Sequence, residues 1–369
     1  MSFAFLLIVR ATIAGVVLLA AGVAALGGFE TGDGIPAPPE KEWQARNDAL
    51  ARARVFRETG FDASTIDYTI DPNGGVIDAG LTICRYKPDD ISGTTPKFDC
   101  ELPNGERIKV KYGWTNEIPS EIVSTRLLHS LGFGADRVSL VETVRCYGCP
   151  FQPFHSRSLA EFIGLARVLD RHIDYTRHRD FHHVSAERNL DGEAIEVGKA
   201  RGWAFWELKR IDPSRGGATR AEVDALRLMA VLLHHWDNKT ANQRLVCADA
   251  DTADCEHPLA MIQDAGSNFG PKKLDLDNWR SRPVWSGDPS TCMLSMKGMP
   301  YGGGTFEDVA ISEDGRRLLG ERIRQLSPAH LETLFAIAKL DNVAEWVSAF
   351  QEKVQQIVNR PSCPSAARS

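Results

Sequence analysis

The sequence has no excess of positive charge. Its 369 residues carry 43 Lys and Arg against 49 Asp and Glu, a net charge of −6, and that balance speaks against a general nucleic-acid binder, which needs a basic face to meet phosphates. No internal repeat is present, so solenoid and propeller architectures are excluded. No His-Glu-x-x-His occurs, and with it goes the commonest zinc-protease frame. The first 28 residues are nearly without charge, Arg10 being the only charged side chain there. No cysteine stands near that stretch, which excludes a lipid-anchored N-terminus.

What fills the N-terminus is ATIAGVVLLAAGVAALGG, residues 11–28, an apolar and small-residue run behind Arg10. At about 1.5 Å per residue it would reach roughly 27 Å as a helix, borderline for a span. Residues 1–28 therefore read either as a signal peptide, with small residues at Gly22 and Ala24 or at Val23 and Ala25 for cleavage, or as an uncleaved membrane anchor. Arg10 precedes the run and Glu30, Asp33 and Glu40 follow it, so the body is expected outside the cytoplasm, secreted or anchored. The cysteine count agrees: eight, an even number, suits an oxidising compartment. Cys84 and Cys100 flank two strand-like runs and Cys247 and Cys255 bracket a polar loop, so each couple is expected to pair. Cys146-Tyr-Gly-Cys149 reads as a structural disulfide; half of a zinc site or a redox pair is the alternative, but no second pair has the spacing of a four-ligand site.

A hydrophobic fraction of 43% and a charged fraction of 25% are ordinary for a globular chain, long enough for one two-lobed domain or two small ones. Residues 29–41 are a Gly/Pro linker and 42–64 a helical extension stopping at Gly60. TIDYTI, GLTICRY, KFDCEL and ERIKVKYG alternate or are β-branched, with DPNGG and PNGE as turn chemistry, so residues 65–113 predict a small antiparallel sheet. Ser120 is the expected cap of the helix SEIVSTRLLHSLG, and VSLVETVRC follows as a strand. From about residue 158 helices are expected to dominate: SLAEFIGLARVLDRH, ATRAEVDALRLMAVLLHH after the apolar GWAFWEL, and three C-terminal helices opening beside Ser312, Ser327 and Asp341/Asn342. QRLVCA and LAMIQD are short strand-like runs. The expected class is α+β, with residues 65–205 a small lobe of antiparallel sheet, one helix and inserted helices, 206–358 a mainly helical lobe, and 359–369 a tail.

One stretch stands out chemically. HHWDNKTANQRL, residues 234–245, crowds polar and ionisable side chains just where the helix over LRLMAVLL should close. Its pattern His235-x-Asp237-x-Lys239-x-x-Asn242, between a helix and a strand, resembles the catalytic loop of the protein-kinase-like superfamily. Asp264-Ala-Gly266, at the end of LAMIQD, resembles that superfamily's metal-binding turn. Upstream, ERIKVKYG and SEIVSTRLL supply a strand Lys and a helix Glu in the same order: Lys111 with Glu121, or Lys109 with Glu117 as fallbacks. The order of elements over residues 65–350 is similar to a two-lobed kinase-like fold. No G-x-G-x-x-G precedes the Lys strand, Trp236 stands where Arg is usual, and no Ala-Pro-Glu follows Asp264, so the chain looks more like divergent members: HipA-type kinases, phosphoinositide kinases, and secretory-pathway or spore-coat kinases.

The resemblance implies roles. Asp237 would orient the acceptor hydroxyl, Lys239 would sit by the transferred phosphoryl, Asn242 and Asp264 would hold Mg²⁺ or Mn²⁺, Lys111 with Glu121 would contact ATP phosphates, and backbone at Trp206, Glu207 and Leu208 would face the adenine as a hinge. It implies transfer of the ATP γ-phosphoryl to a hydroxyl on a protein, sugar or lipid. The alternative is a catalytically inactive kinase-fold protein that binds a ligand at the cell surface or in a secretory lumen. The segment RHIDYTRHRDFHHVS, with His172, His178, His182 and His183, reads as a solvated loop, since Arg171, Arg177 and Arg179 would repel a metal cation.

Overall fold

A computed structural model describes residues 40–57, 62–89, 93–113, 115–247, 255–288, 290–300 and 303–363. The apolar run and the linker to residue 39 lie outside the described residues, as does Gly60; among those described, no helix is long and apolar enough to cross a membrane. The chain is a mixed α+β protein, in which five strands, β1 (Leu81–Lys87), β2 (Lys97–Glu101), β3 (Arg107–Lys111), β4 (Arg137–Tyr147) and β5 (His178–Arg188), close into a barrel in the order β1-β2-β3-β5-β4. Its seam is the parallel pair β1 and β4, with Cys84 opposite Cys146; the other pairs are antiparallel. Alternation sets the faces. Tyr86, Phe98, Ile108, Val110, Val144, Val184 and Ala186 fill the interior, together with the disulfides Cys84–Cys100 and Cys146–Cys149. Lys109, Lys111 and Glu187 alternate with these buried residues and so lie on the outer face.

Four expectations change here. The small antiparallel sheet is a closed barrel with one parallel seam. TIDYTI is not a strand: the carboxylates of Asp67 and Asp71 accept from the N–H groups of Thr69 and Asn73 and fold the segment into turns, local bonding that competes with a ladder. The predicted helix after residue 41 is α1 (Glu40–Ala51), and it ends well before Gly60 because residues 52–57 peel away to bridge Leu259 and Phe133. The histidine segment is largely β5 and not a loop. His178 and His182 are exposed on it while Val184 to Glu187 are buried.

Helix α2 (Glu117–Ser130) starts at Asn116 and not at Ser120, which lies inside the helix with its hydroxyl close to the backbone of Asn268. All but His129 of its residues are buried. The expected helix over SLAEFIGLARVLDRH is two, α3 (Pro153–Phe162) and α4 (Ala166–Asp170), broken at Gly164, whose φ of +71° suits glycine. Beyond the barrel, β6 (Glu193–Ala194), β7 (Gln243–Cys247) and β8 (Leu259–Ile262) make a three-stranded antiparallel sheet, in which β7 and β8 form the expected hairpin, closed by Cys247–Cys255. Thr219 and Glu222 cap α5 (Arg220–Leu233) reciprocally. α7 (Glu313–Ile323) packs against it, and α9 (Val343–Val358) packs against α7 and against α6 (Leu276–Ser281) and α8 (Pro328–Ile337). Ser312 and Ser327 cap α7 and α8 as expected, whereas Asn342 before α9 makes no side-chain cap bond. A second core runs through Trp203, Phe269, Trp279, Phe335 and Phe350 and takes in α2 through Ile122, Val123, Leu127 and Leu128. β9 (Met293–Leu294) pairs with β10 (Val309–Ala310). A fourth disulfide, Cys292–Cys363, was not foreseen. Four disulfides fit an extracytoplasmic location.

Candidate active site

The outer face of the barrel, helix α2 and the β7–β8 hairpin meet at one ammonium group. Lys111, at the end of β3, sits with Nζ 2.6 Å from Glu121, 3.2 Å from Glu117 and 3.6 Å from Asp264. The sequence's first choice and its fallback glutamate thus share one lysine, because residues 117 and 121 are one helical turn apart and face the same way. Burial opposes the charge of Lys111, but Asp264, Glu121 and Glu117 outweigh it and raise the pKa well above that of an ordinary lysine. Glu121 is pushed up, to about 8, by burial and by its neighbours Glu187 and Asp264, against the pull of Lys111. Lys109, the other fallback, is bound to Glu187 at 2.6 Å instead.

Asp264 lies two residues beyond β8 and keeps 37% of its side chain exposed. Burial works against its charge, yet Lys111, Lys109 and Lys97 hold the carboxyl well below the usual carboxylate range, helped by the Gly266 N–H. Gly266 is required by contact: a Cβ there would stand 2.5 Å from Cγ of Glu117. Glu117 is fixed in turn by Lys273 and Thr95.

The loop after α5 reaches the same place. His234 turns the chain with φ +52°, and a turn of 3₁₀ helix over Thr240–Asn242 leads into β7. Asp237 Oδ2 lies 3.3 Å from Lys239, while its Oδ1 is buried with no hydrogen-bond partner among the described residues. Asn242 donates through Nδ2 to the Asp237 carbonyl at 2.6 Å, and its own carbonyl accepts from Gln263 and Asp264. Lys239, Asn242 and Asp264 line a cavity of about 530 Å³ whose opposite wall includes Lys97, Asp99 and Lys109 from the barrel.

His235, the first residue of the pattern, is tied to Gln243 and, through Asn268 and Ser124, to α2, partners that the sequence did not single out. His235 is wholly buried, with Nδ1 3.1 Å from Asn268 Oδ1 and Nε2 3.1 Å from Gln243. Asn268 also donates to Ser124 Oγ of α2 at 2.7 Å and to the Ala265 carbonyl. Burial lowers the His235 pKa, so the ring is neutral and can accept as well as donate. No spacing rule points to Asn268; its value lies in contacts 33 and 144 residues away in sequence.

The expected hinge residues, Trp206 to Leu208, do not line the 530 Å³ cavity. Glu207 is buried and pairs with Arg46 of α1 at 2.8 Å while accepting from the Ala204 N–H. Trp206 and Leu208 line a different cavity, of about 400 Å³, beside Phe306 and Val309. The wall of the 530 Å³ cavity nearest in sequence to them is Arg201. GWAFWEL reads as an apolar connector, but it is a 3₁₀ turn docked on α1.

No protein-family model matches the chain, and no curated protein matches it. Among solved structures, the proinflammatory kinase CtkA of Helicobacter pylori is similar over 76% of this chain and 97% of its own, at 12% identity and a TM-score of 0.44. That is a loose likeness of outline.

The chemistry of the cluster is independent of it. Three carboxylates surround Lys111, and that of Asp264 stays partly open to solvent, where a divalent cation can reach its oxygens. Asp264 offers carboxylate oxygens and Asn242 an amide oxygen whose Nδ2 partner is already engaged, a hard-oxygen donor pair that fits Mg²⁺ or Mn²⁺. The four histidines do not form a comparable group. Among the described residues the metal-ligating side chains that cluster are Cys84, Cys100 and Cys146, which are in disulfides.

Proposed function

We propose that the chain is an exported, kinase-like phosphotransferase that moves the γ-phosphoryl of ATP to a hydroxyl acceptor. One observation carries this: Lys111, Glu121 and Asp264, from a strand, a helix and a hairpin far apart in sequence, converge within 3.6 Å of one Nζ. The convergence is the one that phosphate binding needs, a fixed cation beside a carboxylate free to take a metal. Asp264 and Asn242 would hold Mg²⁺ or Mn²⁺, which when bound would offset charge on the phosphate oxygens. Lys111 would meet the phosphates while Glu121 keeps its ammonium in place. Asp237, whose Oδ1 has no partner among the described residues, would accept the acceptor's proton, and Lys239 bears on the same carboxylate. The nucleotide would lie in the 530 Å³ cavity, with Arg201 replacing residues 206–208 as the nearest connector.

The test is single-turnover transfer from γ-labelled ATP by the full-length chain, to itself and to protein, glycan and lipid hydroxyls, with Mg²⁺ or Mn²⁺. Transfer that falls at least a hundredfold in Asp237→Asn, with nucleotide affinity kept within about threefold, is the expected result. Tight metal-dependent nucleotide binding with no transfer to any acceptor would favour the inactive, ligand-binding alternative.

A further inference from the structure

Twelve large apolar side chains are exposed among the described residues, and seven of them lie between Phe151 and Leu169. Six fall within residues 159–169: Leu159, Phe162, Ile163, Leu165, Val168 and Leu169, Phe162 being 88% exposed. They ride on α3 and α4, the two short helices inserted between β4 and β5. The pair is built, not loose: Arg157 binds Glu161 at 2.6 Å and Asp170 at 2.8 Å, and α3 is pinned to the barrel by its Phe154 N–H on the Tyr112 hydroxyl. No residue of α4 is buried. A fixed hairpin that turns this much apolar surface outward is made to meet something.

We infer that this hairpin rests on an anionic lipid bilayer. Two observations favour lipid over a protein partner. The same chain carries the uncharged apolar run of residues 11–28, and only eleven residues separate it from Glu40, a reach of at most about 40 Å when extended, so a bilayer that took up the run would be within that reach of Glu40. Exposed Arg167 and Arg171 stand on and beside α4 among these apolar side chains and make no ion pair among the described residues, whereas Glu161 and Asp170 of the same two helices are both bound by Arg157. Apolar side chains flanked by exposed arginines on short helices are the composition of an interfacial element that lies in the headgroup layer. The inference does not depend on phosphotransfer.

The experiment uses the full-length chain in vesicles of phosphatidylcholine with one part in three of phosphatidylglycerol, a fraction of it carrying a photoreactive group in the acyl chain. After illumination, lipid adducts are expected on residues 11–28 and on 159–169. The variant Leu159→Asp/Phe162→Asp/Val168→Asp changes only exposed positions and keeps the fold, which its melting curve verifies. In it the 159–169 adducts should drop at least fivefold relative to those on 11–28, the internal control. Arg167→Glu/Arg171→Glu should lower them severalfold. Adducts confined to residues 11–28, a chain that stays off the vesicles, or crosslinks joining the hairpins of two copies in place of lipid adducts would each overturn the inference.

Discussion

At the scale of single residues, buried charge is the organising fact, and Asp136 shows its consequence away from the cavity. It stands just before β4, accepts from the Leu190 N–H at 2.8 Å, and leaves Oδ2 without a partner among the described residues. Burial and the neighbouring Glu187 push its pKa up, to about 7. A carboxyl raised in the folded state contributes stability that is complete below its unfolded pKa, near 4, and is lost as pH rises through 7. Asp136→Asn mimics the protonated form, so it should stabilise the protein relative to the parent increasingly from pH 4 to 7 and by a constant amount above, on the order of 4 kcal/mol; urea titrations at four pH values measure this, and a gap that shrinks with rising pH would refute it. Lys111, Glu121 and Asp264 were legible in the sequence because each sits at a fixed place in a regular element, a strand end, a helix turn and a hairpin end. Glu207 was not, because its partner Arg46 is 161 residues away and nothing local announces it.

Elements follow the same division. β1 to β4 and the β7–β8 hairpin could be read from alternation and turn residues, while β5 was hidden because the barrel turns His178 and His182 to solvent and so masks the alternation. TIDYTI failed for the opposite reason, since aspartate turns overrode its β-branched residues. Two contacts between elements invite tests. Gly202 has φ +65°, and a Cβ there would lie 2.1 Å from the carbonyl oxygens of Thr240 and Gln243, so the connector crosses the loop with no room for a side chain. Gly202→Ala should cost at least about 3 kcal/mol and displace Asn242, seen as lost stability in urea together with weaker metal binding. Asn268→Ala should cost about 2 kcal/mol by stranding His235 and Ser124. If the loop is held as described, it should also weaken nucleotide binding although Asn268 never meets the ligand; unchanged affinity would mean that the loop needs no tie to α2.

For the molecule as a whole, the disulfides separate two regions: two lie in the barrel and two brace the rest of the chain. Cys292–Cys363 spans 71 residues and Cys247–Cys255 only 8. In the chain-entropy picture, Cys292→Ser/Cys363→Ser should lose about 4 kcal/mol and Cys247→Ser/Cys255→Ser about 2 to 3, an order that denaturant midpoints check. The Cys247 and Cys255 pairing was readable from the loop they bracket; Cys363 was not, since only the packing of α7 and α9 brings the C-terminal segment back. The same long-range packing makes the cavity, whose walls come from the barrel, α5's following loop and the β7–β8 hairpin. The most direct measurement is therefore titration calorimetry of the full-length chain with ATP, with and without Mg²⁺ or Mn²⁺, for the parent, Asp264→Ala and Lys111→Ala. Metal-dependent binding by the parent, weakened at least tenfold in both variants, is the expected result. Binding that is absent from the parent, or that survives both substitutions unchanged, would contradict a metal–nucleotide site at Lys111 and Asp264.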